Sequence, residues 1–366
     1  MIKVIGNRGI LEIIAIFSIV MFAGILISVA AAKTGSVSIV NSTMSNPKFL
    51  WLSYIVDATL LLIVSLLLLR RHSHHSNTLL FEMLEGIVIS FTSFFVFLLL
   101  IAILAPQYVA NDLIYVFSAV LAIALVAFKD EFHRLRDLAT VVSSIGVGLI
   151  LGLNFAFIYA IMILAVVAIY DYVGVFKSNE MVSLAKAFSD SDVSFLISIS
   201  DLEAVPKWGL SGKDIESYMS YLGSMHELDD PKFKRILQKG ELPVVSQISL
   251  GEGDLSLPLM AAISAYFTVG TSMAAMVIIG SLVGIIATML ILKVYKHPIP
   301  AVPPLFACIG IFVGIACVFT KMAPGLYSIG FILIAASAVV MLVDILTITN
   351  RMHRSRMQQS KQQAKS

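Results

Sequence analysis

The sequence predicts an all-α, polytopic membrane protein with ten membrane-spanning helices. Its composition is the first reason, because 58% of the 366 residues are apolar and only 13% are charged. Soluble domains carry about 25% charged residues. The second reason is that the apolar residues cluster into stretches of about 20, the length that crosses a bilayer as a helix. A third is the strong asymmetry with which Lys and Arg are distributed between the connecting segments.

The apolar stretches occur in a regular series along the chain. The predicted spans cover about residues 9–32, 50–69, 79–105, 113–128, 138–153, 155–176, 244–267, 269–293, 302–320 and 326–348. The first lacks a small-residue cleavage site and is long enough to span, so it is interpreted as an anchor. Gly152 and Asn154 bound the short separation of the fifth and sixth spans, which predicts a tight hairpin. The seventh begins with polar residues and is expected to enter the bilayer late.

Positive charges indicate the orientation. With the N-terminus inside, the short inner segments hold Lys3, Arg8, Arg70, Arg71, Lys129, Arg134, Arg136, Lys293, Lys296, Arg351, Arg354, Arg356, Lys361 and Lys365. The outer segments hold only Lys33, Lys48 and Lys321. This bias places both termini and the loop 177–243 in the cytoplasm.

Several function classes are excluded by composition. A net charge of +2 does not indicate a nucleic-acid partner. Cys308 and Cys317 lie in one apolar run and cannot pair with each other if that run is one helix. The sequence "HELDD" at 226–230 is not a zinc-binding helix, and no Cys/His cluster has ligand spacing. We therefore expect no metal and no cofactor.

The predicted organisation has five regions. Residues 1–176 form an N-terminal six-helix region, 177–243 a cytoplasmic loop, 244–320 a C-terminal helical region, 321–350 an additional helix and 351–366 a basic tail. The loop carries 19 of the 48 charged residues. Its length makes an unstructured segment unusual, and we expect a short strand at 193–200 and a helix around 213–239.

Two acids in apolar surroundings are the leading candidates for chemistry. Asp171 lies in "AIYDYVGVF" near the cytoplasmic end of the sixth span, and Asp254 lies in "SLGEGDLSLP" near the cytoplasmic start of the seventh. The two are therefore at similar depth. Facing carboxylates in such a site cannot both ionise cheaply and share a proton. One can then activate a water while the other donates a hydrogen bond to a carbonyl, as in aspartic proteases. Either acid alone could equally be a helix cap.

The remaining acids in or near the spans are expected to have other roles. Asp57 is deep in the second span, where a hydrogen-bonded packing role is favoured over catalysis. Glu82, Glu85 and Asp344 lie close to the inner edge and are expected to face water.

Glycine and proline surround the second acid. Gly251 and Gly253 permit a non-helical backbone and close approach of another chain, and Pro258 frees a backbone carbonyl. The segment "HPIPAVPPLF" at 297–306 has four prolines in seven positions and is expected to form a rigid, extended, non-helical entry beside the acids.

These motifs, in the order "YD", "GxGD" and a "PAL"-type element, resemble the presenilin and signal peptide peptidase family of intramembrane aspartyl proteases. The resemblance covers roughly residues 1–320, and "FKSNEMVSLAKAF" is similar to microbial presenilin homologues, whose location would be a microbial cell membrane. It implies a presenilin-like bundle of nine core helices with Asp171 and Asp254 as the catalytic pair. The implied substrate-binding residues are Tyr170, Gly251, Gly253, Pro300, Ala301, Val302 and Pro303.

The resemblance also implies a class of substrate, and the sequence departs from the family pattern at three points. Substrates would be single-span proteins or peptides in membrane lipid, with their N-terminus outside. The third element reads PAV rather than PAL, the "x" of GxGD is Glu252, and a tenth, C-terminal span is additional. We expect Glu252 to face the cytoplasmic water, because a third buried carboxylate would be costly. The alternative function is an ion-coupled transporter or channel, in which buried acids and broken helices also occur.

Overall fold

The computed structural model describes residues 7–35, 78–106, 113–129, 131, 133–178, 196–206, 236, 238–239, 241–295, 299–319 and 324–363. These contain nine α-helices, one π-helical turn and two β-strands. The N-terminal helices are α1 (Asn7–Thr34), α2 (Thr78–Leu104), α3 (Leu113–Phe128), α4 (His133–Asn154) and α5 (Phe157–Val173), which continues into a π-helical turn (Gly174–Ser178).

The C-terminal half of the chain begins with an antiparallel strand pair. The strands are β1 (Leu196–Pro206) and β2 (Glu241–Gly251). The helices that follow are α6 (Glu252–Thr268), α7 (Thr271–Tyr295), α8 (Val302–Phe319) and α9 (Pro324–Gln363). In this order β2 leads directly into α6.

The all-α polytopic fold predicted from the sequence is confirmed. Within the described residues, six segments are long and apolar enough to cross a membrane: Asn7–Thr34, Glu85–Leu104, Leu135–Asn154, Phe157–Phe176, Thr271–Tyr295 and Gly330–Asn350. Two shorter apolar helices occupy Leu113–Phe128 and Val302–Val318. A helix is found at nine of the ten predicted spans, and the predicted span at 50–69 lies outside the described residues.

Two details of the predicted elements differ from the structure. The seventh span was expected from residue 244, but 241–251 form a strand and the helix starts at Glu252. Alternation of apolar residues in β2 suits a half-buried strand, and Gly251 ends it. The strand expected at 193–200 is found at 196–206. Most of the helix expected around 213–239 lies outside the described residues.

Helix α6 lies at the centre of the bundle, where it packs against α1, α4, α5 and α7. It is buried almost all round from Leu255 to Ala265, as expected for a helix that is apolar on every face. Its neighbours approach closely through glycines. A Cβ built on Gly148 of α4 would lie 2.7 Å from Leu259, and one on Gly152 would lie 2.7 Å from the Cβ of Ile263. Small residues permit such close helix packing in membranes.

Glycines also permit close packing of α7 on α8 and of α8 on α9. On α7, a Cβ at Gly280 or Gly284 would lie 2.8 Å from the Cα of Ile309 or Leu305 in α8. Between α8 and α9, a Cβ at Gly310 would meet the hydroxyl of Ser337. Helix α9, the additional helix of the sequence prediction, is therefore closely packed along α8 rather than separate from the bundle.

Candidate active site

Asp254 is positioned by the junction between β2 and α6. Gly251 is the N-cap residue, with an extended backbone (φ −74°, ψ 149°), and Asp254 is the third residue of the helix. The backbone N–H of Gly251 donates to Asp254 Oδ2 over 3.2 Å, the reciprocal bond that a carboxylate at this position makes in capped helices. A negative charge in the first turn is also favoured by the helix dipole. Local sequence therefore suffices to orient this carboxylate.

Asp171 is positioned by a different element. It lies in the last turn of α5, and the backbone N–H of Val302, the first residue of α8, donates to its Oδ2 over 3.2 Å. The backbone N–H of Ala301 also contributes a hydrogen bond to this carboxylate. N–H groups at the start of a helix have no partner within the helix and are available to anions. Asp171 is thus held by the segment that precedes and starts α8.

Asp171 and Asp254 are close enough for their carboxyl groups to interact electrostatically. Three segments converge there: the end of α5, the β2–α6 junction and residues 299–302. The sequence had placed Asp171 and Asp254 at similar depth in two consecutive spans. Chemically it supplies two acid groups, each with one oxygen held by backbone N–H donors.

The proline-rich segment is only partly as expected. Residues 299–301 are not helical, but α8 begins at Val302, so Pro303 and Pro304 lie in its first turn. The expectation that the whole of 297–306 is non-helical was wrong, because prolines are tolerated in a first turn, where no N–H bond within the helix is lost. Pro300, Val302 and Pro303 are buried, and Ala301 is partly exposed.

The other predicted substrate-binding residues are distributed unevenly. Gly251 lies against Asp254, since a Cβ at Gly251 would be 3.2 Å from Asp254 Oδ2. Gly253 is exposed, and a Cβ there would meet nothing within 4 Å. The side chain of Tyr170 is 62% exposed on the outer face of α5. The adjacent Tyr172, which the sequence reasoning did not single out, bonds through its hydroxyl to Thr347 Oγ1 of α9 over 2.6 Å.

Two acids that were expected to face water are buried. Glu85 is fully buried in α2 and pairs with Lys129, which follows α3. Asp344 of α9 is 4% exposed. Both expectations failed because distance along a helix from its predicted end does not reveal which face the bundle covers. The side chains of Glu82 and Asp57 lie outside the described residues.

Glu252 was also expected to face water, and this was wrong. It accepts a hydrogen bond from Ser143 Oγ of α4 over 2.5 Å, and Ser143 is bonded in turn to Thr92 of α2 over 2.8 Å. The first turn of α6 directs residues 252 and 254 to different sides, so Glu252 reaches α4. The polar residues of "VVSSIG" in α4 were the sequence signal that could have indicated this partner.

No metal-binding cluster of three or more His, Cys, Asp or Glu side chains occurs among the described residues.

Comparison with protein families identifies the family to which the chain belongs. A family model described as signal-peptide peptidase, presenilin aspartyl protease matches residues 14–322. The chain belongs to this family. Membership implies an intramembrane aspartyl protease, and the multi-pass membrane fold agrees with it. Searches of curated proteins and of solved structures gave no significant match.

The family match ends before α9 and includes the segments of both acids and of residues 300–303. The family resemblance predicted from the three motifs is thus confirmed. The similarity to microbial homologues in particular stays a prediction from the sequence.

Proposed function

We propose that this member of the family hydrolyses peptide bonds within transmembrane helices, with Asp171 and Asp254 as the catalytic pair. The observation that carries the proposal is the pairing of these carboxylates from two separate helices. Each is held by backbone N–H groups, at Val302 for Asp171 and at Gly251 for Asp254. Because ionisable groups in membrane-spanning helices are energetically costly, acids at such positions are candidates for a function.

The proposed reaction uses one proton shared by the pair. The ionised carboxyl takes a proton from a water molecule, whose oxygen attacks the scissile carbonyl carbon. The protonated carboxyl gives its proton to the carbonyl oxygen, which yields a tetrahedral diol. Collapse of this diol breaks the C–N bond: the acid formed in the first step protonates the leaving amine, and the other carboxylate takes the proton of one diol hydroxyl. The pair then again holds one proton. The sum is peptide plus water giving a carboxylic acid and an amine.

The substrate is proposed to bind as a strand. A helix must be unwound before its carbonyl can be attacked, and β2 leads straight into Gly251 and Asp254. In the described residues β2 pairs with β1 along one edge only, with Leu196 opposite Gly251. An extended peptide could add to the other edge of β2 and reach the segment at 299–302.

The proposed topology is based on the charge pattern, and the proposed location and partners are based on the family resemblance. We propose that the N-terminus, the loop 177–243 and the C-terminus are cytoplasmic, in the cell membrane of a microbe. Substrates would be single-span proteins or peptides whose N-terminus lies outside.

The test is cleavage of a purified single-span peptide by purified protein in detergent or lipid. Asp171→Asn and Asp254→Asn should each abolish cleavage, and the double variant should be no worse, because groups that act as a unit are not additive. Glu12→Gln is a matched control, since Glu12 is an exposed acid paired with Arg8 on α1. Substantial turnover by either single Asp variant would exclude the two-aspartate mechanism.

Two further measurements separate the components of the proposal. Proline scanned through the substrate near its cut site should reduce cleavage, because proline removes a strand N–H. Cleavage that is indifferent to proline would refute strand addition but not the mechanism. A peptide analogue with a hydroxyl in place of the scissile carbonyl should inhibit, whereas a transporter or channel should not bind it.

A further inference from the structure

Asp344 lies in α9, beyond the residues that the family model matches. Its side chain is buried, and neither carboxyl oxygen has a hydrogen-bond partner among the described residues. An unpaired ionised carboxylate in apolar surroundings carries a large desolvation penalty. The neighbours of Asp344 should therefore indicate why a carboxyl group is present at this buried position.

The face of α9 that carries Asp344 is turned towards the end of α5. Thr347, three residues later and therefore on the same face, bonds to Tyr172, the residue after Asp171. Ile348, four residues later, packs with Val175 and Phe176 of the π-helical turn. These contacts place Asp344 beside Asp171, and the two carboxyl groups interact electrostatically.

The described surroundings of Asp344 offer it no cation. Helix α8, which packs along α9, contains no charged residue. Lys293 of α7 donates to Asn7 on the exposed side of the bundle. Among the neighbouring side chains that the structure describes, the charged groups near Asp344 are Asp171 of α5 and, beyond it, Asp254 of α6. The side chain of Lys177 in the π-helical turn lies outside the described residues. The described charged neighbours of Asp344 are therefore both carboxyl groups.

We propose that Asp344 is a third carboxyl group of the active site, a positioning residue that acts through Asp171. The inference rests on the proposed function. Three neighbouring carboxyl groups cannot all ionise, so the protons of the site are distributed over three groups rather than two. The charge on Asp344 then sets how readily Asp171 carries a negative charge, without any contact between Asp344 and the substrate.

The experiment is a pH–rate profile for cleavage of a single-span peptide by Asp344→Asn. The amide keeps the volume but cannot ionise. With this competing carboxyl group removed, activity should extend to lower pH by about half a unit or more. Asp344→Glu restores a carboxyl group and should return the profile to that of the wild type. Removing a buried acid should leave the folded protein at least as stable, which extraction and size-exclusion chromatography would check.

Ser337→Ala is the matched control. Ser337 is a second buried polar residue of α9 without a described partner, two turns before Asp344, and it packs on Gly310 rather than beside the acids. Its variant should leave the profile unchanged.

The possible outcomes separate the inference from the proposed function. An unchanged profile for Asp344→Asn, while the wild type cleaves and Asp254→Asn does not, overturns the role of Asp344 alone. An equal shift in Ser337→Ala also overturns it, because helix packing would then be the cause. Absence of cleavage by the wild type overturns both proposals.

Discussion

The helices that carry the two acids differ in where they lie and in how they hold their carboxylates. Helix α6 is buried on nearly every side, and Asp254 is oriented by the cap of its own helix. Helix α5 buries only one face, and Val166 and Ile169 on its other face are more than 60% exposed. Its acid, Asp171, is oriented across the bundle by Val302. One half of the site is local, and the other half depends on tertiary structure.

This difference indicates which half of the site is adjustable. The position of Asp254 changes only if the centre of the bundle changes, because α6 packs against four helices. The position of Asp171 depends on the end of α5 and the start of α8, and α9 contacts α5 there through Tyr172 and Thr347. Movement of α8 or α9 would therefore displace Asp171 and leave Asp254 in place.

The largest effect is expected from removal of the N–H donor at Val302. Val302→Pro deletes this donor, and proline suits the first position of a helix. Asp171 would lose a charge-assisted hydrogen bond of about 1.5–3 kcal/mol, so activity should fall about 10- to 100-fold. Val302→Ala keeps the N–H and is the control for loss of the buried side chain. Its turnover of a single-span peptide should exceed that of Val302→Pro, and equal losses in the two variants would show that the N–H bond does not matter.

Removal of the backbone N–H donor to Asp254 tests whether the two acids differ in how they are held. Gly251→Pro removes the donor to Asp254, and the backbone φ of −74° at Gly251 accepts proline. Because Asp254 is also held by the rigid first turn of α6, the loss should be smaller than for Val302→Pro. A larger loss for Gly251→Pro would reverse the assignment of the adjustable half.

The sequence pattern around Asp254 is local, because glycine at a cap, an acid three residues later and an apolar run follow one another directly. The predicted span nevertheless began at 244 instead of Glu252, because the strand before the cap was not recognised. The pairing of Asp171 with Val302 spans 131 positions, and the motif order indicated proximity without indicating which backbone group would donate.

The buried acids show a second limit of sequence reasoning. Glu85, Glu252 and Asp344 were assigned to water because they lie near predicted helix ends. Glu85 and Asp344 are buried and Glu252 is partly buried. Their surroundings include Lys129, Ser143 and the face that α9 presents to α5, and none of these is adjacent in sequence. Hydropathy gives the depth of a residue in a span but not the side of the helix on which it lies.

A moderate effect is expected from crowding the centre of the bundle. In Gly152→Ala the new methyl group would lie 2.7 Å from Ile263 Cβ and 3.0 Å from the carbonyl oxygen of Met260. Neither atom can move without the backbone of α6, so the variant should lose about 1–3 kcal/mol of stability. A lower thermal midpoint in detergent would show this.

The matched change lies on the edge of the bundle. Ile169→Ala on the exposed face of α5 should alter the midpoint little, because surface substitutions are usually within about 0.5 kcal/mol. Equal losses for Gly152→Ala and Ile169→Ala would contradict the contrast between a rigid centre and a less constrained edge.

The smallest effect is expected at Glu252, although it stands two residues from Asp254. If the cap at Gly251 sets the geometry of Asp254, the bond between Glu252 and Ser143 is an attachment to α4 and does not take part in the chemistry. Glu252→Gln can still accept from Ser143 and should match the wild type. Glu252→Leu leaves Ser143 its bond to Thr92, so kcat/KM should fall less than about threefold. A loss of tenfold or more in Glu252→Leu, with a folded protein, would show that Asp254 depends on α4 as well as on its own helix. The local half of the site would then be tertiary too.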